Sequence, residues 1–383
     1  MRAVLLAVLL VVLPRSGWGQ GLEGATGRIE KLLAESFGRS FPLVAASAGV
    51  TYRFDPVTAS FEREPALMGQ LFLERADPLG KGRWNMGVSY QYVALDTIEG
   101  QDAADLRDPL PLALAGAGGV VIGAATIDRL SIRAASHQFT VSVTYGVTDD
   151  LDVNATVPVL YSDLHATADI TRLLLVPTPS LEHITADSPD TATGVGDAIL
   201  RAKYRLVARD PVHVATGLIV RFPTGDPSTL QGTGEYELAP MLYVSTRAFE
   251  PATWARLSAH ANAGADLIAG DVGSSELRWA VGLDWAVSEG ATAAVAVLGR
   301  HPLRRLAKPG FFEFVRVLPN GQLGVAPLFG LDGQRPDYYD LSLGGRVNVW
   351  RDTVIAFANA IVPLNAAGIR TEIIPLVGTE VAW

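Results

Sequence analysis

The stretch Arg83-Trp84-Asn85-Met86-Gly87-Val88-Ser89-Tyr90-Gln91-Tyr92 decides the fold, because its side chains alternate in character without a break. Trp84, Met86, Val88, Tyr90 and Tyr92 fall on one face, and Arg83, Asn85, Gly87, Ser89 and Gln91 on the other. A period of two sustained over this length specifies an extended strand with one apolar side and one polar side. A helix would scatter both sets around its axis. About ten residues is also what a tilted strand needs to cross the hydrocarbon of a bilayer.

The pattern recurs along the chain. Phe139, Val141, Val143 and Tyr145 oppose Gln138, Thr140, Ser142 and Thr144. After a turn over Gly146 to Asp150, Leu151, Val153, Ala155, Val157 and Val159 oppose Asp152, Asn154 and Thr156, which makes a hairpin. Ala198, Leu200, Ala202, Tyr204 and Leu206 oppose Asp197, Arg201, Lys203 and Arg205; Val214, Leu218, Val220 and Phe222 oppose His213, Gly217 and Arg221. Further strands are expected near residues 236–245, 255–264, 277–285, 293–300, 341–349, 353–361 and 372–383. In 353–361 the facing is ambiguous, since Val354, Ala356, Ala358 and Ala360 compete with Ile355 and Phe357 for the apolar side.

These segments number about twelve, and their connections alternate in length as in an up-and-down barrel with short periplasmic turns and long outer loops. Short connections lie near residues 148–150, 209–211, 250–251, 288–290 and 351–352. Longer ones lie near 97–125, 173–191, 223–235, 267–273, 301–337 and 363–370, the first including an apolar stretch, 109–125, read as a loop. Trp84, Tyr145, Tyr204, Trp254, Trp285, Trp350 and Trp383 gather at the short-turn ends, where an interfacial girdle belongs, and the distribution reads as one-sided. The fold class expected is an all-β, transmembrane, antiparallel up-and-down barrel over residues 83–383.

Composition agrees with that reading. Mean hydropathy is +0.24 with 19% charged residues, yet beyond the N-terminus no apolar run is long enough for a membrane helix, so the hydrophobicity is dispersed as alternation disperses it. Residues 1–19, with Arg2, an apolar run Ala3 to Leu13 and Gly17-Trp18-Gly19, read as a signal peptide cleaved before Gln20. Residues 20–82 form a small N-terminal periplasmic or plug region, with helical spacing over 22–37 and extended segments near 50–54 and 71–75. There is no cysteine, so no disulfide contributes. A net charge of -9 argues against a nucleic-acid partner.

The phrases Phe72-Leu73-Glu74-Arg75, Gly87-Val88-Ser89-Tyr90-Gln91-Tyr92, Tyr145-Gly146-Val147-Thr148-Asp149-Asp150-Leu151-Asp152-Val153, Thr193-Gly194-Val195-Gly196-Asp197 and Phe222-Pro223-Thr224-Gly225-Asp226 resemble the outer-membrane family named for the MetA pathway of phenol degradation. The resemblance implies a barrel that moves small, aromatic or otherwise poorly permeant molecules across the outer membrane. Its motifs are turn and strand signatures, and it carries over no catalytic residue.

Motifs that would carry chemistry are sparse in the chain. His137, His165, His183, His213, His260 and His301 lack metal-ligand spacing. Gly194, Gly196 and Asp197 lack the third glycine and the helix of a dinucleotide fingerprint and read as a turn. Asp102, Asp105 and Asp108 depart from a calcium-loop pattern. No Gly-x-Ser-x-Gly elbow and no compact Ser and His constellation is evident, so the chain is not read as an enzyme. No cofactor or metal is expected. The expected partners are outer-membrane lipid and lipopolysaccharide, the barrel-assembly machinery and a small-molecule solute.

The informative set is the polar face. Arg83, Arg201, Lys203, Arg205, Arg221, Arg256, Arg278, Arg300 and Arg346 fall there with His213 and His260, against Asp152, Asp197, Glu237, Asp284, Glu372 and Glu380. Such groups cannot face lipid cheaply, since Arg or Lys at the midplane costs roughly 2 to 4 kcal/mol. The candidate solute path is therefore Arg201, Lys203, Arg205, Arg221, Arg256, His260, Arg278, Asp284, Arg300 and Arg346, in a narrow basic lumen that passes small aromatic or anionic solutes by passive diffusion. Two alternatives stand beside it: a structural or adhesive barrel whose charges fill the lumen, and an outer-membrane hydrolase.

Overall fold

The computed structural model describes residues 52–55, 60–63, 72–115, 121–175, 178–246, 248–252, 255–303, 313–327, 336–350 and 353–383. The expected signal peptide, the helical spacing at 22–37 and Trp254 lie outside the described residues. Tyr52–Asp55 pairs with Ser60–Arg63 in a separate short hairpin.

Twelve antiparallel strands close into a barrel. They are β1 (Trp84–Ala94), β2 (Val121–Gly146), β3 (Leu151–Leu174), β4 (Ala198–Arg209), β5 (Val212–Phe222), β6 (Glu237–Thr246), β7 (Ala255–Ile268), β8 (Glu276–Ser288), β9 (Ala291–Pro302), β10 (Tyr338–Trp350), β11 (Val354–Pro363) and β12 (Ile374–Ala382). Each pairs with its neighbour in sequence, and β12 closes on β1 from Leu376 opposite Gln91 to Ala382 opposite Asn85. Every strand expected from the alternation is present. No edge is left in the membrane-spanning ring, so the backbone is satisfied without water.

The outward face is apolar. Met86, Val88, Phe139, Val141, Val157, Leu200, Leu242, Val281, Leu283, Leu343 and Val377 are all exposed on it. Only lipid covers a belt of this kind on a closed barrel, and the chain is a protein of the cell outer membrane. Trp84, Tyr204, Trp285, Trp350 and Trp383 are exposed at the short-turn end, as expected. The distribution is not one-sided, however. Tyr90, Tyr92, His137, Phe139 and Tyr161 meet on β1 to β3, and Trp279, His301 and Tyr339 on β8 to β10, forming a second girdle at the opposite interface.

The expected loop 301–337 contains a hairpin of Glu313–Val317 with Leu323–Pro327, and two further loop expectations are corrected. Leu106–Ala115 is a strand along the far half of β2, and Ser180–Val195 is a strand along the far half of β3. Both were hidden for one physical reason, visible along β3 itself. Up to Tyr161 its outward residues are Val153, Ala155, Val157 and Val159, and its inward ones are Asp152, Asn154 and Thr156. Beyond Tyr161 the outward residues become Asp163, His165, Thr167 and Asp169, while the inward ones become Leu164, Ala166, Ala168 and Ile170. The sheet continues past the bilayer into water, so its polarity inverts. Pro109 and Pro111 sit where the Leu106–Ala115 register shifts, which is where proline is tolerated in a ladder.

The ambiguous strand is resolved by its partners. In β11 Ile355 and Phe357 point inward and are buried, Phe357 with Leu376 and Phe72. Phe357 breaks the polar-lumen rule because Phe72 of the N-terminal chain lies against it.

Candidate functional site

Residues 72–79 are not a strand of the wall, yet they lie inside it. Leu73 is fully buried against Ala280, Ala296 and Leu298, and Ala76 is packed against Ala215, Ala239, Met241 and Tyr243. Polar groups of the wall hold the segment's backbone. The Ala76 N–H donates to Ser245 Oγ at 3.0 Å and the Leu79 N–H to Asp152 Oδ2 at 2.7 Å. The Asn262 amide, in the orientation that satisfies both its ends, donates to the Glu74 carbonyl at 3.0 Å and accepts from the Glu74 N–H at 2.7 Å.

Lys203 is the centre of this bed. Its Nζ donates to Glu74 Oε1 at 2.9 Å, to the Arg75 carbonyl at 3.1 Å and to the Asp77 carbonyl at 3.0 Å, with Asp152 Oδ2 at 3.7 Å. An ammonium offers three donors, and here the segment takes all three. Arg201, one strand residue pair away, lines a small polar cavity with Glu74, Thr144, Asp152, Asn154, Lys203 and Tyr243. His213 Nδ1 is hydrogen-bonded to Asp77. Burial works against the Asp77 carboxylate, but the hydrogen bond from His213, reinforced by Arg75 and Lys203, holds its pKa down at about 2.

The other candidate residues separate by height. Arg205 and Arg256 belong to the periplasmic rim: Arg205 reaches Asp150 at 2.7 Å and Arg256 lies 3.9 Å from Glu250. Arg346 is buried with Glu380 at 2.6 Å, and Asn85 reaches the same carboxylate at 3.5 Å. Towards the outer mouth, Arg221 pairs with Glu237 at 3.0 Å, Arg278 with Asp266 and with Glu276 at 3.2 Å, and Arg300 with Glu276 at 3.8 Å. Arg278 and Arg300 are directly opposite in register, and Arg300 is opposite Tyr338. Arg300 and Arg370 both lie on the Tyr338 ring, at 4.5 Å and 4.6 Å. Thus Arg221, Arg278 and Arg300 form a wall in which arginines alternate with Glu237, Asp266 and Glu276.

Two expected lumen residues are elsewhere in role. Glu372 is exposed in the loop before β12, where its N–H donates to Asp96; the strand begins later than the alternation suggested. Asp197 is buried but pins an outer loop, accepting from the Gly225 N–H at 3.1 Å and the Thr233 N–H at 2.8 Å. The turn reading of Gly194 to Asp197 thereby acquires its cause, since these residues interrupt the descending strand where that loop folds in.

Sequence reading missed Glu74, Asp77 and Ser245, which lie far from the lumen strands or look like ordinary strand serines. A Ser and His constellation does exist: Ser245 Oγ is 2.9 Å from His260 Nδ1, and His260 Nε2 is 3.0 Å from Asp284 Oδ2. Its serine accepts from the Ala76 N–H and all three groups are buried. This arrangement bears on the segment rather than presenting a nucleophile to a substrate.

The outer mouth is apolar. Val93, Leu95, Ile98, Leu106, Leu164, Ile170, Leu230, Ile361, Ile369 and Ile374 form one buried cluster there. Thr97–Ile98 pairs with Ile369–Arg370 to strap the mouth.

Among solved structures, an outer membrane channel from Pseudomonas putida F1 is similar at 11% identity and a TM-score of 0.49, over 80% of this chain and 98% of that one. The toluene transporter TodX of P. putida is similar at 8% identity and a TM-score of 0.34, over 79% and 88%. A Pseudomonas aeruginosa FadL homologue is similar at 11% identity and a TM-score of 0.31, over 79% and 90%. No curated protein matches the chain. The family model described as "Putative MetA-pathway of phenol degradation" matches residues 116–298, from the start of β2 into β9, and over that segment the resemblance carried by Tyr145 to Val153, Thr193 to Asp197 and Phe222 to Asp226 is a family match.

Proposed function

We propose that this protein is an outer-membrane channel for small organic solutes with an apolar body and a negative charge, closed in the described state by residues 72–79. The observation that carries this reading is the nature of the closure. A barrel meant only as a scaffold fills its lumen with side chains of its own wall. Here a separate, irregular segment fills it, held by side-chain hydrogen bonds that can be exchanged for water.

The path runs from the apolar outer mouth to the wall of Arg221, Arg278 and Arg300. Ordered positive groups in a low-dielectric wall favour anions, and their interleaved carboxylates keep that preference weak. Passage is passive diffusion once the segment has moved. Arg201 and Lys203 serve the segment first and the solute second, and Arg205 and Arg256 serve the rim.

Planar-bilayer recording on the purified full chain tests this. Small, intermittent, weakly anion-selective currents are expected, with Arg221→Gln plus Arg278→Gln shifting the reversal potential towards cations. A folded barrel that passes no current, even in variants whose segment is released, is a structural barrel and overturns the proposal.

A further inference from the structure

One row of side chains beneath the segment combines two histidines with the groups that hold it. His213 on β5 is opposite Ser245 on β6, and Ser245 is opposite His260 on β7. His213 meets Asp77 directly, and His260 acts through Ser245 on the Ala76 N–H while Asp284 holds its other nitrogen. We propose that this row is a pH-operated latch, in which protonated His213 holds Asp77 and keeps the segment docked, and loss of that proton at alkaline pH lets the segment leave the lumen.

Charged and polar groups reach this row and the segment from several strands, with Arg201 of β4 and Tyr243 of β6 lining the cavity beside Glu74. The segment contributes Glu74, Arg75 and Asp77; β3 contributes Asp152, β4 Lys203, β6 Ser245, β7 His260 and β8 Asp284. Asp210, in the turn before β5, lies 3.7 Å from His213 Nε2. Imidazole is the side chain whose ordinary value lies nearest this range, and His213 is the histidine in direct contact with the segment's carboxylate.

The sign follows from which state binds the proton more tightly. In the docked state the imidazolium faces a buried carboxylate, so docking and protonation favour each other. That stabilisation is fully present below the ordinary imidazole value of about 6.5 and is lost as pH rises through the docked-state titration. The neutral ring retains a hydrogen bond to Asp77 but not the charge-assisted one, which is about twice as strong. Asp77 stays ionised well into acid, since its own pKa is held at about 2. Through His213 the latch is thus closed near neutral pH and weakens in the alkaline direction.

The inference rests on residues 72–79 being a removable closure, and its test is read without any current. The chain has no cysteine, so Leu79→Cys, at a buried segment position, provides a single reporter for a water-soluble thiol reagent, with heat-modifiable mobility showing that the barrel is folded. Between pH 6 and pH 9 the labelling rate, corrected for thiolate fraction on an exposed control cysteine, is expected to rise about tenfold, the factor of one pKa unit. Adding His213→Gln, or Asp77→Asn on the segment itself, is expected to give fast labelling with no pH dependence. His260→Gln is expected to speed labelling while leaving the pH dependence in place. A flat rate in Leu79→Cys alone, or an unchanged pH dependence in both latch variants, overturns the latch. Labelling that follows pH in a barrel that never conducts keeps the latch and overturns the channel.

Discussion

Lys203 Nζ lies 2.9 Å from Glu74 Oε1, across 129 residues of chain. A cation placed by strand periodicity and an anion placed by an irregular N-terminal segment neutralise each other inside the barrel. Both are almost fully buried. A pair of this kind is costly to break, because the remaining member is left charged and desolvated.

Replacing Lys203 with Met therefore releases the segment: it leaves Glu74 and Asp152 without their common cation. The loss of docking free energy is expected at about 3 to 5 kcal/mol, seen as a large increase in Leu79→Cys labelling. Adding Glu74→Gln to Lys203→Met recovers part of it. Slow labelling in Lys203→Met contradicts the assignment of Lys203 as the segment's anchor.

The Arg346–Glu380 pair, at 2.6 Å, ties β10 to β12 on the lumen side. Arg346→Met leaves Glu380 buried without the Arg346 cation, and is expected to lower the urea midpoint of the refolded barrel by an amount equivalent to about 3 to 5 kcal/mol. The double variant Arg346→Met, Glu380→Leu is expected to restore most of that stability. Additive losses in the double variant remove the coupling.

Trp383 closes the ring. Its carbonyl accepts from the Trp84 N–H at 2.9 Å, and its N–H donates to the Trp84 carbonyl at 3.0 Å. Deleting Trp383 removes both bonds and an exposed interfacial aromatic, so the folded, heat-modifiable fraction in membranes is expected to fall. An unchanged folded fraction denies it that role.

Topology is open to direct labelling. Ser180 begins the strand that rises above the outer girdle and Asn320 is in an exposed turn of an outer loop, whereas Asp149 is in the periplasmic turn between β2 and β3. Single cysteines at Ser180 and Asn320 are expected to react with an impermeant reagent on intact cells. Reaction at Asp149 in sealed cells inverts the barrel.

Docking on the acid side follows Asp77. Its pKa is lowered from 3.8 to about 2, and a depressed carboxylate contributes stability that is present above its unfolded value and is lost as pH falls through the folded one. The Leu79→Cys rate is thus expected to stay low from pH 6 to pH 4 and to rise only on approach to pH 2. A mass label read after quenching measures it, and release already at pH 5 contradicts the shift.

The alternation in Arg83 to Tyr92, Gln138 to Val159 and Asp197 to Phe222 determined the barrel, its strand number and which face meets lipid. Such periodicity is a local property, and a bilayer imposes the same demand on every strand. Hence the inward facing of Arg201, Lys203, Arg221, Arg278, Arg300 and Arg346 was legible residue by residue. The sheet above the membrane was not, because at Tyr161 the solvent changes from lipid to water and the same alternation reverses its meaning. Nor was the site. That Lys203 meets Glu74 rather than a wall carboxylate, that His213 meets Asp77, and that Ser245 joins His260 to the Ala76 backbone depend on a segment folding back into the lumen. No strand period encodes that return, and only tertiary structure, by placing an irregular chain against a periodic wall, decided what the inward charges hold.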